Sequence, residues 1–220
     1  SAEVWEQVVP AISETMYMVG VSSVFVLVFG ILLGLVLVMT SREGLMPCKI
    51  LHTLLGSVIN CFRSLTEVII IIVMLPVARA LVGKSYGSNA CIISLVASCV
   101  PLFARLVESS LLELDKGKIE AAKAMGSGNF RILFTIMVPE TLPSLIRAFT
   151  NAVVIVISMT ALAGSFGAGG IGYIAVTYGY TRFQHDLLFA TIVVLIVIVQ
   201  AVQLVGDTIS KLILKKRHLI

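Results

Sequence analysis

Charged side chains are scarce in this sequence: 13% of the 220 residues are charged, whereas 58% are hydrophobic. The mean hydropathy of +1.06 is far above that of a soluble domain. This composition excludes a soluble globular protein and predicts an integral membrane protein. The net charge of +4 does not indicate a nucleic-acid partner, because the basic residues cluster beside the apolar runs.

The sequence also lacks the motifs of nucleotide, metal and catalytic sites. No Walker A sequence is present, so this chain cannot itself cradle ATP phosphates in that manner. The cysteines show no C-x-x-C spacing and the histidines are scattered, which argues against a metal site. No Ser, His and Asp arrangement stands out. Gly167, Gly169 and Gly172 match a dinucleotide-binding expression, but they follow a membrane helix instead of a strand.

Long apolar runs take the place of such motifs and predict about five membrane-spanning helices. The first run has 24 uncharged residues, about 36 Å as a helix, which is enough to cross hydrocarbon roughly 30 Å thick. It is too long for the core of a signal peptide and has no basic leader, so we expect a retained span. The predicted spans are 16–39, 54–81, 90–112, 144–162 and 187–205.

The distribution of basic residues predicts the orientation of these spans. The first 14 residues contain acidic side chains and no Lys or Arg, and Trp5 suits an interfacial anchor. With five spans, 13 of the 16 Lys and Arg residues fall on one side of the membrane. By the positive-inside rule that side is cytoplasmic. We therefore expect a single transmembrane domain, 1–220, with its N-terminus outside the cell and its C-terminus in the cytoplasm.

One polar island, residues 113–143, separates the third span from the fourth. Its apolar residues recur at steps of three and four, which predicts a short amphipathic helix interrupted at Gly126 and Gly128. Its charged residues would be costly to bury in hydrocarbon, so the segment should lie in water at the membrane face. We interpret it as a surface for a partner protein.

Six residues of this island resemble the cytoplasmic coupling loop of ABC importer permeases, with Val138 replacing the usual Leu. They keep the family's "EAA, three residues, Gly, nine residues, Ile, two residues, Pro" spacing. The resemblance implies that these residues form coupling helices that sit in a groove of an ATPase subunit. The residues are Glu120, Ala121, Ala122, Gly126, Ile136 and Pro139.

Further segments are similar to the methionine-uptake permeases within that family. They are Cys-Phe-Arg-Ser at 61–64, Gly-Ala-Gly-Gly-Ile-Gly at 167–172, Tyr-Gly-Tyr at 178–180 and Gly-Asp at 206–207. The resemblance implies an all-helical, type I ABC importer permease fold in the bacterial inner membrane. It also implies a homodimer, two ATPase subunits that bind ATP and Mg²⁺, and a binding protein outside the cell or in the periplasm that delivers L- or D-methionine.

Two regions are candidates for the translocation path, although ordinary helix packing would explain the residues of the fourth span equally well. Arg63 and Glu67 stand four residues apart within the second span, where we expect an ion pair on one helical face. Alternatively, Glu67 faces the path and contacts a substrate amino group. The other candidates precede the glycine cluster in the fourth span: Ser158, Met159, Thr160 and Leu162.

Two alternative functions remain open from the sequence. A related permease for another amino acid or small polar solute would keep every feature except the substrate. An ion-coupled carrier using Arg63 and Glu67 would transport without an ATPase, but it leaves the coupling-loop spacing unexplained. A membrane enzyme lacks candidate catalytic residues.

Overall fold

The computed structural model describes residues 2–42, 44–84 and 86–216, and these contain helices and no strand. The all-helical prediction is therefore confirmed for this part of the chain. Arg217 and His218, near the C-terminus, lie outside the described residues. The α-helices are α1 Ala2–Thr40, α2 Lys49–Ser64, α3 Glu67–Val82, α4 Ser88–Leu112, α5 Lys116–Ala124, α6 Asn129–Ile132, α7 Val138–Gly164, α8 Gly170–Ile174 and α9 His185–Lys216.

Four helical segments are each long and apolar enough to cross a membrane, and α2 with α3 makes a fifth if this bent pair is one span. Each segment extends beyond the apolar run that predicted it. The helices continue into the polar zone on either side of the hydrocarbon, where backbone hydrogen bonding still favours a helix. The four segments are Trp5–Thr40, Ser88–Leu112, Asn129–Gly164 and His185–Lys216.

Helices α1, α4 and α7 form the centre of the bundle. The α1 helix packs along α4, and α4 packs against α3 and α7. Met18 of α1, Phe103 of α4 and Met159 of α7 are almost fully buried in the resulting core. By contrast, α9 lies at the margin and keeps most of its apolar surface exposed, as expected for a helix that faces lipid.

The second predicted span is broken between α2 and α3, and the two helices meet at an angle of 109°. Leu65 and Thr66 have extended backbone conformations, so α2 ends before them and α3 starts after them. Pro76 lies inside α3. The prediction of one uninterrupted helix over 54–81 is therefore wrong, because the interruption falls at two residues that the apolar pattern does not mark.

The fourth predicted span begins earlier than Ser144. The α6 helix continues through a π-helical turn, Leu133–Met137, into α7, so that one span runs over Asn129–Gly164. Pro139 follows the π-helical turn, so its missing N–H group falls where the regular α-helical hydrogen bonding is already interrupted. The polar island therefore leads into the span without a loop.

The glycine-rich segment after α7 leads into a short helix that packs against α1. The α8 helix is followed by a π-helical turn, Ala175–Tyr180. Glu14 Oε2 accepts a hydrogen bond from Gly170 N–H at 2.7 Å, and Thr15 Oγ1 accepts one from Ile171 N–H at 2.9 Å. These bonds satisfy backbone donors at the start of α8 and fix it to α1.

Candidate functional site

The polar island forms two short helices joined by a tight turn. Asp115 begins α5, and its Oδ1 accepts a hydrogen bond from Gly117 N–H at 2.9 Å. After α5 the chain reverses at Gly126, where φ is +77°, a conformation that favours glycine. The α6 helix then starts at Asn129. The predicted interruption of the amphipathic segment therefore lies at Gly126.

The apolar residues of this segment point in two directions. Ala122, Ile132 and Leu133 are buried in the main core of the bundle. Met125, Phe130 and Phe134 are instead exposed, with fractional exposures of 78%, 62% and 58%. We call Met125, Phe130 and Phe134 the apolar coupling surface. Large apolar side chains that are exposed beside the charged residues of the coupling segment are typical of a protein-binding surface.

Some of the six residues of the coupling-loop pattern are exposed, and others are packed against the bundle. Glu120 and Ala121 are exposed on α5, whereas Ala122 is buried in the chain's own core. Ile136 and Pro139 are half-buried at the foot of α7. The buried members hold the segment against the spans, so only the exposed members are available to a partner.

An ion pair ties the first short helix to the foot of the fourth span. Lys118 of α5 donates to Glu140 of α7 through Nζ and Oε1. The pair is partly exposed, so its contribution to stability is small, about 0.2–1 kcal/mol. Its position matters more, because α5 has few other contacts with the bundle. The pair therefore joins α5 directly to α7.

The structure separates the path candidates of the fourth span. Met159 is buried, and Cys99 Sγ donates to its Sδ at 3.5 Å. Thr160 is also buried, and its hydroxyl donates to the Ile157 carbonyl at 2.6 Å. Ser158 and Leu162 are exposed on the opposite side of α7. Only these last two are open to solvent or a partner in this conformation.

Arg63 and Glu67 do not form the expected ion pair. They lie in different helices across the break, and no ion pair between them is formed in the described part of the chain. Arg63 lies in the last turn of α2 and Glu67 in the first turn of α3. Each charge therefore has the sign that complements its own helix end, which explains why the two occur together.

A cavity of about 810 Å³ lies between α2, α4 and α7, at the end of the bundle that carries α5. It includes Arg63 but not Glu67. The wall combines charged, polar and apolar side chains: Arg63, Leu102, Arg105, Leu106, Glu108, Ser109, Leu112, Glu113, Asn151 and Ile155.

A polar cluster in the wall of this cavity holds α2 against α4. Arg105 Nη1 donates to Glu108 Oε2 at 2.6 Å, and Nη2 donates to the Gly56 carbonyl at 3.3 Å and to Asn60 Oδ1 at 3.4 Å. His52 Nε2 lies 4.0 Å from Glu108 Oε1. Glu108 is only 6% exposed. At its end the α4 helix reaches exposed positions, Leu112 and Glu113. The signal for a buried pair was present, because Arg105 and Glu108 stand three residues apart in an apolar helix.

Within the described ranges, no group of three or more His, Cys, Asp or Glu side chains could hold a metal ion.

Comparison with known proteins places this geometry among transport proteins. Residues 27–218 match the family described as "Binding-protein-dependent transport system inner membrane component". The probable D-methionine transport system permease protein MetI of Vibrio cholerae is 36% identical over 90% of this chain and 88% of its own length. The methionine import system permease protein MetP of Bacillus subtilis is 40% identical over 82% of this chain and 81% of its own length.

A solved structure is similar over almost the full length of the chain. It is described as an inward-facing conformation of the MetNI methionine ABC transporter. The TM-score is 0.94 at 33% sequence identity, and the alignment covers 97% of this chain and 99% of the other.

Proposed function

Because the chain belongs to the family of binding-protein-dependent transport system inner membrane components, we propose that it is the permease subunit of an ATP-driven importer of methionine. The family prediction from the coupling-loop residues is confirmed, as is the prediction of a permease fold. The chain is a transport subunit and not itself an enzyme. The assignment of methionine as the substrate rests on the similarity to permeases named for methionine, which extends over four fifths or more of the chain.

We assign the ATPase contact to the exposed part of the coupling segment. Glu120 and Ala121 together with the apolar coupling surface offer one charge and three large apolar groups to a groove. A partner ATPase would dock at this surface. That partner, and not this chain, would bind ATP and Mg²⁺, since this chain has no phosphate-binding loop. Nucleotide binding shifts the permease between conformations only through contacts that differ between them. The Lys118–Glu140 pair carries that shift from α5 into α7.

The complete transporter in this proposal contains two copies of this chain. The central helices α4 and α7 leave a polar, partly open face that includes Asn151 and Ser158. A second copy related by a two-fold axis would cover that face and complete a path between the subunits. Two ATPase subunits then engage the two coupling surfaces, and a binding protein delivers methionine at the opposite end.

We further propose that the chain lies in the bacterial inner membrane with α5 and α6 in the cytoplasm. The family description names an inner membrane component. The basic residues favour a cytoplasmic location for the coupling segment and the C-terminus, which leaves the N-terminus outside. The cavity at the coupling end fits an inward-open state, the state named for the similar solved structure.

Uptake by proteoliposomes tests the proposed substrate. The permease is reconstituted with its ATPase and binding protein, and labelled L-methionine is supplied on the side of the binding protein. ATP on the ATPase side should start uptake, and excess unlabelled D- or L-methionine should compete with the label more strongly than leucine or histidine does. Uptake of another amino acid in place of methionine would keep the permease and discard the substrate. Equal uptake without ATP would favour an ion-coupled carrier.

A further inference from the structure

A second cavity, of about 350 Å³, lies at the end of the bundle opposite the coupling segment, between α1, α8 and the π-helical turn after α8. One carboxylate and two tyrosines stand in its wall, and none of the described residues that line it is basic. A negative group beside aromatic rings suits a cation and disfavours an anion. The lining residues are Gln7, Pro10, Ala11, Glu14, Gly170, Tyr173, Ile174 and Tyr178.

Glu14 holds its carboxylate in place with one oxygen and leaves the other open. Its Oε2 accepts the hydrogen bond from Gly170 N–H at 2.7 Å, which fixes the side chain between α1 and α8. Within residues 2–42, 44–84 and 86–216, Oε1 has no hydrogen-bond partner and no Lys or Arg pairs with Glu14. The negative charge and the second oxygen are therefore available to a ligand that carries N–H donors.

Two tyrosines form the aromatic wall of the cavity. The rings of Tyr173 and Tyr178 meet edge to face, with their centres 6.3 Å apart. Tyr178 already attracts a cation of the protein itself, because the Arg182 guanidinium lies 4.5 Å from the centre of its ring. Arg182 does not line the cavity, and no cation of the described ranges lies over the Tyr173 ring. The electron-rich face of Tyr173 thus remains available to a second cation.

The cavity lies at the level of the lipid headgroups. Glu14 stands two residues before the run of 24 uncharged residues that starts at Met16, so it is about 3 Å along α1 from the predicted edge of the hydrocarbon. Exposed tryptophan and tyrosine side chains, which are typical of a membrane interface, occur on the same elements at Trp5, Tyr17 and Tyr180. A headgroup can therefore reach the cavity from within the bilayer.

From these observations we infer that the cavity binds the ammonium group of a zwitterionic phospholipid with an ethanolamine headgroup. Glu14 Oε1 accepts a hydrogen bond from the ammonium group, and the Tyr173 ring lies against it. A free amine has the same chemistry, but it lacks the acyl chains that hold a headgroup at this depth. Neither methionine nor the ATPase contact enters this inference, so it is independent of the transported substrate.

Lipid binding to the purified permease–ATPase complex, counted by native mass spectrometry during a titration, tests this inference. The probes are dioleoyl phosphatidylethanolamine and dioleoyl phosphatidylglycerol, which have the same acyl chains, whereas only the first carries an ammonium group. The wild type should bind the ethanolamine lipid about tenfold more tightly than the glycerol lipid. Glu14→Gln should remove this preference, because it keeps an oxygen acceptor for Gly170 N–H and loses the charge.

Matched variants exclude trivial causes of a loss. Glu6→Gln removes an exposed glutamate of the same helix that does not line the cavity, and it should bind both lipids like the wild type. Tyr173→Phe keeps the aromatic face and should also bind like the wild type. Tyr173→Leu removes that face and should weaken binding of the ethanolamine lipid about threefold. Elution of the intact complex on size exclusion checks that each variant folds.

Equal affinity of the wild type for the two lipids, or a preference that Glu14→Gln leaves intact, would overturn the inference. If Glu14→Gln instead weakens association with the binding protein and leaves lipid binding unchanged, the cavity is a docking surface for that protein. Displacement of the lipid by O-phosphoethanolamine at a similar concentration would identify a free amine as the ligand and overturn the lipid assignment. None of these measurements uses methionine uptake, so the proposed function is tested separately.

Discussion

A methyl group added at Gly164 should destabilise the bundle, because this residue forms a direct backbone contact between α7 and α8. A Cβ atom at Gly164 would lie under 3.0 Å from backbone atoms of Gly172 and Tyr173. Backbone cannot rotate aside as a side chain end can, so the two helices must separate. Overpacking of this kind costs about 1–3 kcal/mol, which lowers the melting temperature by roughly 2–12 °C for a chain of this size.

Thermal unfolding followed with a thiol-reactive dye measures this effect. Cys91 and Cys99 are buried in α4 and react only when the bundle opens, whereas Cys48 and Cys61 are exposed and are first replaced by Ser. Gly20→Ala is the control, because a Cβ there meets nothing within 4 Å and should stabilise α1 by about 0.5–1 kcal/mol. If Gly164→Ala melts no lower than Gly20→Ala, the close contact between α7 and α8 is wrong.

Three further predictions concern the coupling segment and the polar cluster. Phe130→Asp should reduce the affinity for the ATPase about thirtyfold in a pull-down titration, because a charge replaces an exposed apolar anchor, whereas Phe130→Leu keeps an apolar side chain and should stay close to wild type; equal affinities would remove Phe130 from the interface. Arg105→Gln should destabilise the fold by about 3–5 kcal/mol in the same dye assay, because Glu108 is left buried without its partner; a change under about 1 kcal/mol would contradict the buried pair. Lys118→Glu should lower the methionine uptake per ATP hydrolysed while changing the melting temperature little. The double variant Lys118→Glu with Glu140→Lys should restore the uptake per ATP, and a double variant that stays as low as the single one would show that the pair does not transmit the motion.

The sequence located the coupling segment because its charges interrupt long apolar runs and its apolar residues recur with helical period. It could not show which apolar residues face the bundle. Reversal of the chain at Gly126 places Ala122 and Leu133 inside and leaves Met125 and Phe130 outside. A single helical face cannot describe two helices joined by a turn, so only the folded backbone separates the two sets.

The break in the second span was hidden for a different reason. Pro76 was the strongest breaker in that run, yet it is accommodated inside α3. The chain instead breaks at Leu65 and Thr66, and the flanking charges suit the new helix ends. Charges four residues apart are compatible with one helix or with two helix ends, and sequence spacing alone does not distinguish these arrangements.

The buried pair Arg105 and Glu108 could have been recognised, because charges within an apolar helix need partners. The predicted span 90–112 contains both residues, but the sequence does not show which other segment covers them. The structure places α2 over this end of α4, and Gly56 and Asn60 complete the hydrogen bonding of Arg105. Packing between distant segments thus decides their burial.

ATP-driven uptake of methionine, measured together with ATP hydrolysis in the same proteoliposomes, tests the central claim most directly. The wild type should take up methionine only with ATP and a methionine-loaded binding protein. Glu120→Lys reverses an exposed charge on α5 and should abolish uptake in an otherwise folded permease. Uptake that persists without ATP, or that Glu120→Lys leaves unchanged, would contradict the assignment of this chain as a methionine permease driven through its coupling segment.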